Sequence, residues 1–75
     1  MAINKDLSVR FGKQVRKLRE ARNLSSADLS RLLLMDRSNY SRIETGNTNI
    51  TISKMNEICS ALNITFQELF EDFDK

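Results

Sequence analysis

Arg37, Ser38, Asn39 and Arg42 lie close together in the chain, and each carries groups suited to the edge of a base pair. A guanidinium presents two donors that match guanine O6 and N7, and a carboxamide pairs with adenine N6 and N7. Each good pair gives ~1–3 kcal/mol of discrimination. The Ser38 hydroxyl suits a base or a phosphate. On a helix these four side chains fall opposite Tyr40 and Ile43, whose spacing of three marks a core-facing side. Ser26, at the start of a preceding helix, and Asn47 and Thr48, in the loop that follows, are placed to hold phosphates. Such contacts fix register without reading sequence.

Two short amphipathic segments within residues 24–46 must position this set. Ser25 suits the cap of the first, and Asp28 three residues on completes an approximate capping box whose acid complements the positive helix end. Leu29, Leu32 and Leu33 form its apolar face. Asp36 is expected to cap the second segment, and Gly46 to end it in the left-handed conformation. So few residues separate the two segments that only a tight corner fits between them. The second helix of such a corner can enter the B-DNA major groove while the first crosses the backbone.

The flanking sequence predicts three further helices, giving an all-α fold of five helices over about 5–22, 26–33, 37–45, 52–62 and 66–73 in one domain, residues 1–75. In the first helix Phe11, Val15 and Leu18 share a stripe that Leu7 extends backwards, Gly12 permits close packing, and Asn23 is a stop signal. Thr51 caps the fourth helix, whose inner face runs Ile52, Met55, Ile58 and Leu62, and Asn63 stops it. Thr65 with Glu68 forms a capping box for the fifth, which holds Phe66, Leu69, Phe70 and Phe73. No segment shows sustained strand alternation.

At 75 residues, 40% of them hydrophobic, with two Gly and no Pro, the chain reads as one small helical domain with short loops. That length is near the lower limit for an unassisted core, so a partner subunit would help. Cys59 is the single cysteine and histidine is absent, which excludes an intrachain disulfide and a Cys/His metal site. Cys59 itself reads as a small core residue. No nucleophile, base and orienting group combine at a recognisable spacing, so neither catalysis nor a cofactor is expected. No signal-peptide pattern, bilayer-spanning run or small-molecule pocket is evident, and a cytoplasmic, membrane-free protein is expected. The net charge of +2 hides an asymmetry: residues 1–22 sum to +5, residues 23–50 to 0 and residues 51–75 to −3. A basic first third suits an anionic partner, although an ordinary solvated helix face would also carry it.

The joint spacing of Leu24-Ser25, Asp28-Leu29, Ser41-Arg42-Ile43-Glu44 with Gly46, Thr51-Ile52 and Ala61-Leu62-Asn63-Ile64 resembles the phage-repressor and Cro type of helix-turn-helix, over about residues 11–70. The resemblance implies a lambda-repressor-like domain and a transcriptional regulator of double-stranded DNA. By it Arg37, Ser38, Asn39 and Arg42 fall on base-facing positions, Ser26 on a phosphate-holding one, and Arg19 and Glu44 on a pair that often bridges the first and third helices. Three residues depart from the pattern. Leu34 stands where the turn commonly has Gly, implying either a looser corner or an ordinary conformation at Leu34. Ser26 replaces a longer Gln. Tyr40 replaces an aliphatic residue, so its hydroxyl needs a partner or an exit to water.

Phe66, Phe70 and Phe73 offer more apolar surface than the last turns of so small a domain readily bury. With Ile50 they are expected to form a two-fold homodimer interface. A dimer of this type reads a palindromic operator with half-sites about one helical turn apart. Repression or autoregulation by promoter occupancy is the economical physiology, and the short chain is similar to stand-alone regulators, including controller proteins of restriction-modification systems. The alternative is a protein-interaction module, an antitoxin or anti-regulator that keeps the same fold.

Overall fold

Local capping chemistry sets most of the helix boundaries. The computed structural model describes residues 5–71 and contains α1 (Lys5–Ala21), α2 (Ser26–Leu32), α3 (Arg37–Thr45), α4 (Ile52–Leu62) and α5 (Phe66–Leu69), with no strand among the described residues. Ser25 and Thr65 each form a reciprocal capping box, accepting from the amides of Asp28 and Glu68 while those carboxylates accept from the cap amides. The Ser25 amide and hydroxyl, then Arg31, hold the Asp28 carboxyl below the ordinary aspartate value. Thr51 Oγ1 accepts from the Lys54 amide at 3.0 Å. Asp36 has the extended backbone of a cap but makes no side-chain cap bond, contrary to the role its type suggests. The Asp36 carbonyl still accepts the first helical bond, from the Tyr40 amide, as the Ser25, Thr51 and Thr65 carbonyls do for their helices.

Four helix ends share one device. Asn23, Leu34, Gly46 and Asn63 all adopt positive φ, between 56° and 79°. In each case the next residue's amide reaches back five positions: Leu24 to Arg19, Met35 to Ser30, Asn47 to Arg42 and Ile64 to Cys59. This is the bond that closes a left-handed helix end, usually with an apolar contact from the residue just beyond. Leu24, Met35 and Ile64 do pack against the core. Leu34 therefore takes neither alternative that its lack of a glycine suggested. It enters the left-handed region at φ 56°, with its side chain 94% exposed, and Met35 is turned inward as a result.

The core joins Phe11 and Val15 of α1, Leu29 and Leu33 at α2, Tyr40 and Ile43 of α3, Ile58, Cys59 and Leu62 of α4, and Leu69 of α5. Leu18 and Met55 pack against it partly buried, and three further expected core residues are exposed. Leu7 is exposed near the start of α1, Leu32 is exposed in the last turn of α2, and Ile52, first residue of α4, is 77% exposed. Each sits near a helix end, where the apolar stripe runs past the neighbouring helix. Burial, then Glu68, pushes the Cys59 thiol upward, away from a reactive thiolate.

The fifth helix ends at Leu69, earlier than the stretch to residue 73 that its aromatic spacing suggested. The chain turns back onto α1 instead: the Phe70 ring meets Phe11 with centroids 5.9 Å apart, and Gln14 Nε2 donates to the Glu71 carbonyl at 3.0 Å. Phe73 lies outside the described residues.

Candidate nucleic-acid interface

α1 carries and orients the site. Gly12 is buried against the last turn of α3, and a Cβ there would lie 2.3 Å from the Ile43 carbonyl oxygen and 2.5 Å from that of Glu44. Only hydrogen fits, so the two backbones meet directly. Gly46 makes a second such approach: its added Cβ would stand 2.6 Å from Val9 Cα. The start of α1 thus pins the loop after α3.

About two turns beyond Gly12, Arg19 reaches across to Glu44. Arg19 Nε donates to Oε2 at 2.7 Å and a terminal nitrogen to Oε1 at 3.3 Å, so the pair is bidentate, and both side chains are nearly buried. The other terminal nitrogen donates to the Leu24 carbonyl at 2.7 Å. The Tyr40 hydroxyl, inside the core, donates to Glu44 Oε2, the oxygen that also accepts from Arg19 Nε. One cluster therefore ties α1, the loop before α2 and two successive turns of α3. The bond to Glu44 raises the Arg19 pKa, opposed by burial, while burial first and Glu44 second raise that of Tyr40. Every buried side-chain polar atom among the described residues has a partner.

Tyr40, Ile43 and Glu44 commit one side of α3 to the interior. Arg37, Ser38, Asn39 and Arg42 are all exposed on the rest of its surface. The corner from α2 to α3 is three residues past the α2 cap, Leu34 to Asp36, too short for anything except a sharp change of direction. Ser26, first residue of α2, is half-buried.

Beyond α3, Asn47 Nδ2 donates to Thr45 Oγ1 at 3.2 Å, and the Thr48 hydroxyl donates to the Asn49 carbonyl at 3.2 Å. Asn47 is thus tied to the last residue of α3, and Thr48 to its neighbour in the loop. A groove of about 260 Å³ runs from α3 to α4 and brings together Asn39, Arg42, Thr48, Asn49 and Lys54. Asn49 and Lys54 were not singled out as site residues from the sequence. Nothing in their local pattern marks them, because they reach α3 only through tertiary packing.

A tightly cornered helix pair whose second helix turns a polar, arginine-bearing face outward defines a helix-turn-helix DNA-binding protein. The chain belongs to the Helix-turn-helix family, whose pattern residues 15–69 match. It is similar to Control protein C.MunI of Mycoplasma sp, with 38% identity over 71 residues covering 93% of this chain and 96% of that protein. It also resembles the crystal structure of the restriction-modification controller protein C.AhdI from Aeromonas hydrophila, with a TM-score of 0.79 and 38% identity over 87% of this chain and 97% of the other. For the wild-type restriction-modification controller protein C.Esp1396I the TM-score is 0.81 at 25% identity, covering 91% of this chain and 88% of that one. No helix among the described residues is long and apolar enough to cross a membrane.

Proposed function

We propose that this protein is a controller-type transcriptional regulator that binds a palindromic operator as a homodimer and represses or autoregulates by occupying a promoter in the cytoplasm. The carrying observation is the division of α3: Tyr40, Ile43 and Glu44 face inward while Arg37, Ser38, Asn39 and Arg42 are exposed. In this reading those four residues meet base edges in the major groove, and Ser26, Asn47 and Thr48 meet phosphates. An Arg-carboxylate fork with two good contacts is directional. The Arg19–Glu44 pair therefore holds the roll angle of α3 on which base reading depends.

The controller proteins among its relatives and the basic first third of the chain support this reading. For the dimer, the support is apolar surface: Phe66 is 40% and Phe70 36% exposed, and Ile50 and Phe70 line an apolar groove of about 280 Å³ with Leu7, Phe11 and Met55. A protein-interaction module would favour apolar anchors on α3, where this chain carries two arginines and an asparagine.

The test is selection of bound duplexes from a random library, followed by titration over a salt series. Recovery of an inverted repeat with half-sites about one helical turn apart, and affinity falling steeply with salt, is the expected result. Arg42→Ala should then lose ~1–3 kcal/mol and relax preference at one position of each half-site. Binding without sequence preference, or only to protein, would refute it. Sedimentation at tens of micromolar checks the dimer, and a lone monomer there would exclude DNA-independent pairing.

A further inference from the structure

The groove between α3 and α4 is lined by cations from both sides, Arg42 on one helix and Lys54 on the other, with Asn39, Thr48 and Asn49 between them. A helix about 10–12 Å across fills a major groove about 12 Å wide. A side chain on an element beside the inserted helix therefore meets the sugar-phosphate strand that borders the groove. Lys54, third residue of α4, stands in that place. Its ammonium is not idle, because Nζ pairs with Glu57 Oε1 at 3.1 Å one turn on, with side chains 28% and 50% exposed. An ion pair that open to water contributes little and is readily exchanged.

Building on the reading of α3 as the base-reading helix, we infer that Lys54, with the Asn49 amide beside it, seats a backbone phosphate of the operator and that Glu57 competes with that phosphate for Lys54. The Thr48 hydroxyl, already donating to the Asn49 carbonyl, has to turn before it can help, and Arg42 is directed to bases in the proposed reading, so Lys54 is the cation left for the phosphate. Glu57 holds the lysine at the groove in the absence of DNA, and it lowers the affinity reached when DNA arrives. Binding strength is in this way limited on α4, outside the set of side chains that read bases.

The experiment titrates the full chain, as wild type, Lys54→Gln, Glu57→Gln and the double variant, against a library-selected duplex and a random duplex over a salt series. Lys54→Gln should bind both duplexes ~3–10-fold more weakly and reduce the slope of log affinity against log salt by about one, with base preference unchanged. Glu57→Gln should bind about 2–5-fold more tightly, and that gain should vanish in the Lys54→Gln background, since contacting residues couple. An unaltered slope in Lys54→Gln, a changed base preference, or a Glu57→Gln gain that survives without Lys54 would each overturn the inference. A wild type that binds no duplex would overturn the DNA reading and this inference together. A binding wild type beside an equally binding Lys54→Gln removes the phosphate seat alone. Glu57 is exposed and Lys54 partly so, and circular dichroism of each variant verifies that the fold is retained.

Discussion

Gly12→Ala isolates how the recognition helix is held. The added Cβ would lie 2.3 Å and 2.5 Å from two α3 carbonyl oxygens, Ile43 and Glu44, and 2.7 Å from the Glu44 carbonyl carbon. Even close C···O contacts between packed helices lie near ~3.3–3.6 Å, so α1 and α3 must part by roughly 1 Å. The neighbours that would have to yield are backbone atoms inside a hydrogen-bonded helix, not rotatable side-chain tips. Overpacking of this kind costs ~1–3 kcal/mol, with rigid neighbours at the upper end. Against it stands the gain of ~0.8–1 kcal/mol from replacing a mid-helix Gly by Ala. The net destabilisation is about 2 kcal/mol, a drop in melting temperature of ~8–16 °C for a domain this small. Thermal unfolding followed by circular dichroism measures it. The same displacement pulls Glu44 from Arg19, so operator affinity should fall further than the loss of folded protein explains. A Gly12→Ala protein as stable as wild type would refute the direct backbone contact and, with it, the account of how α3 is oriented.

Other perturbations act on single named interactions. Leu34→Gly should stabilise the domain by ~0.5–1 kcal/mol, because a left-handed non-glycine residue costs ~1–2 kcal/mol and the greater freedom of glycine in the unfolded chain returns only part of that; chemical denaturation measures it, and a loss would show that the exposed leucine contributes packing. Glu44→Ala leaves the nearly buried Arg19 without its carboxylate and should cost ~3–5 kcal/mol, far more than replacing both residues by apolar ones of similar size, in parallel urea titrations. The Asp28 carboxyl titrates below its ordinary 3.8, so its contribution is complete above that pH and is lost as pH falls through the lower folded value. The melting-temperature gap between wild type and Asp28→Asn should accordingly narrow below pH 3.8, and a gap independent of pH would rule out a charge-dependent cap.

Features set by a residue and its near neighbours in the chain were legible in advance. The caps at Ser25, Thr51 and Thr65 and the left-handed stops at Asn23, Gly46 and Asn63 depend on bonds spanning three to five residues, and residue type announces them. Asp36 shows the limit of such reading, since its backbone takes the cap conformation without the side-chain bond. The early end of α5 was hidden because Phe70 is drawn to Phe11, far away in sequence. Likewise the third donor of Arg19, spent on the Leu24 carbonyl, and the groove that Lys54 and Arg42 both line exist only once the helices have packed. Leu34 is the intermediate case. Its type argues against positive φ, yet the bond from the Met35 amide to the Ser30 carbonyl and the inward turn of Met35 outweigh that preference.

The two-sidedness of α3 bears on how such a regulator could acquire a new target. Tyr40, Ile43 and Glu44 supply its attachment to the domain, and positions 37, 38, 39 and 42 are exposed. Surface substitutions of that kind usually shift stability by no more than ~0.5 kcal/mol. Under the proposed reading, address and scaffold drift independently: the four outward positions diversify with a changing operator while the inward ones stay constrained by packing. A library randomised at those four codons alone should consist largely of folded proteins that differ in the DNA they choose.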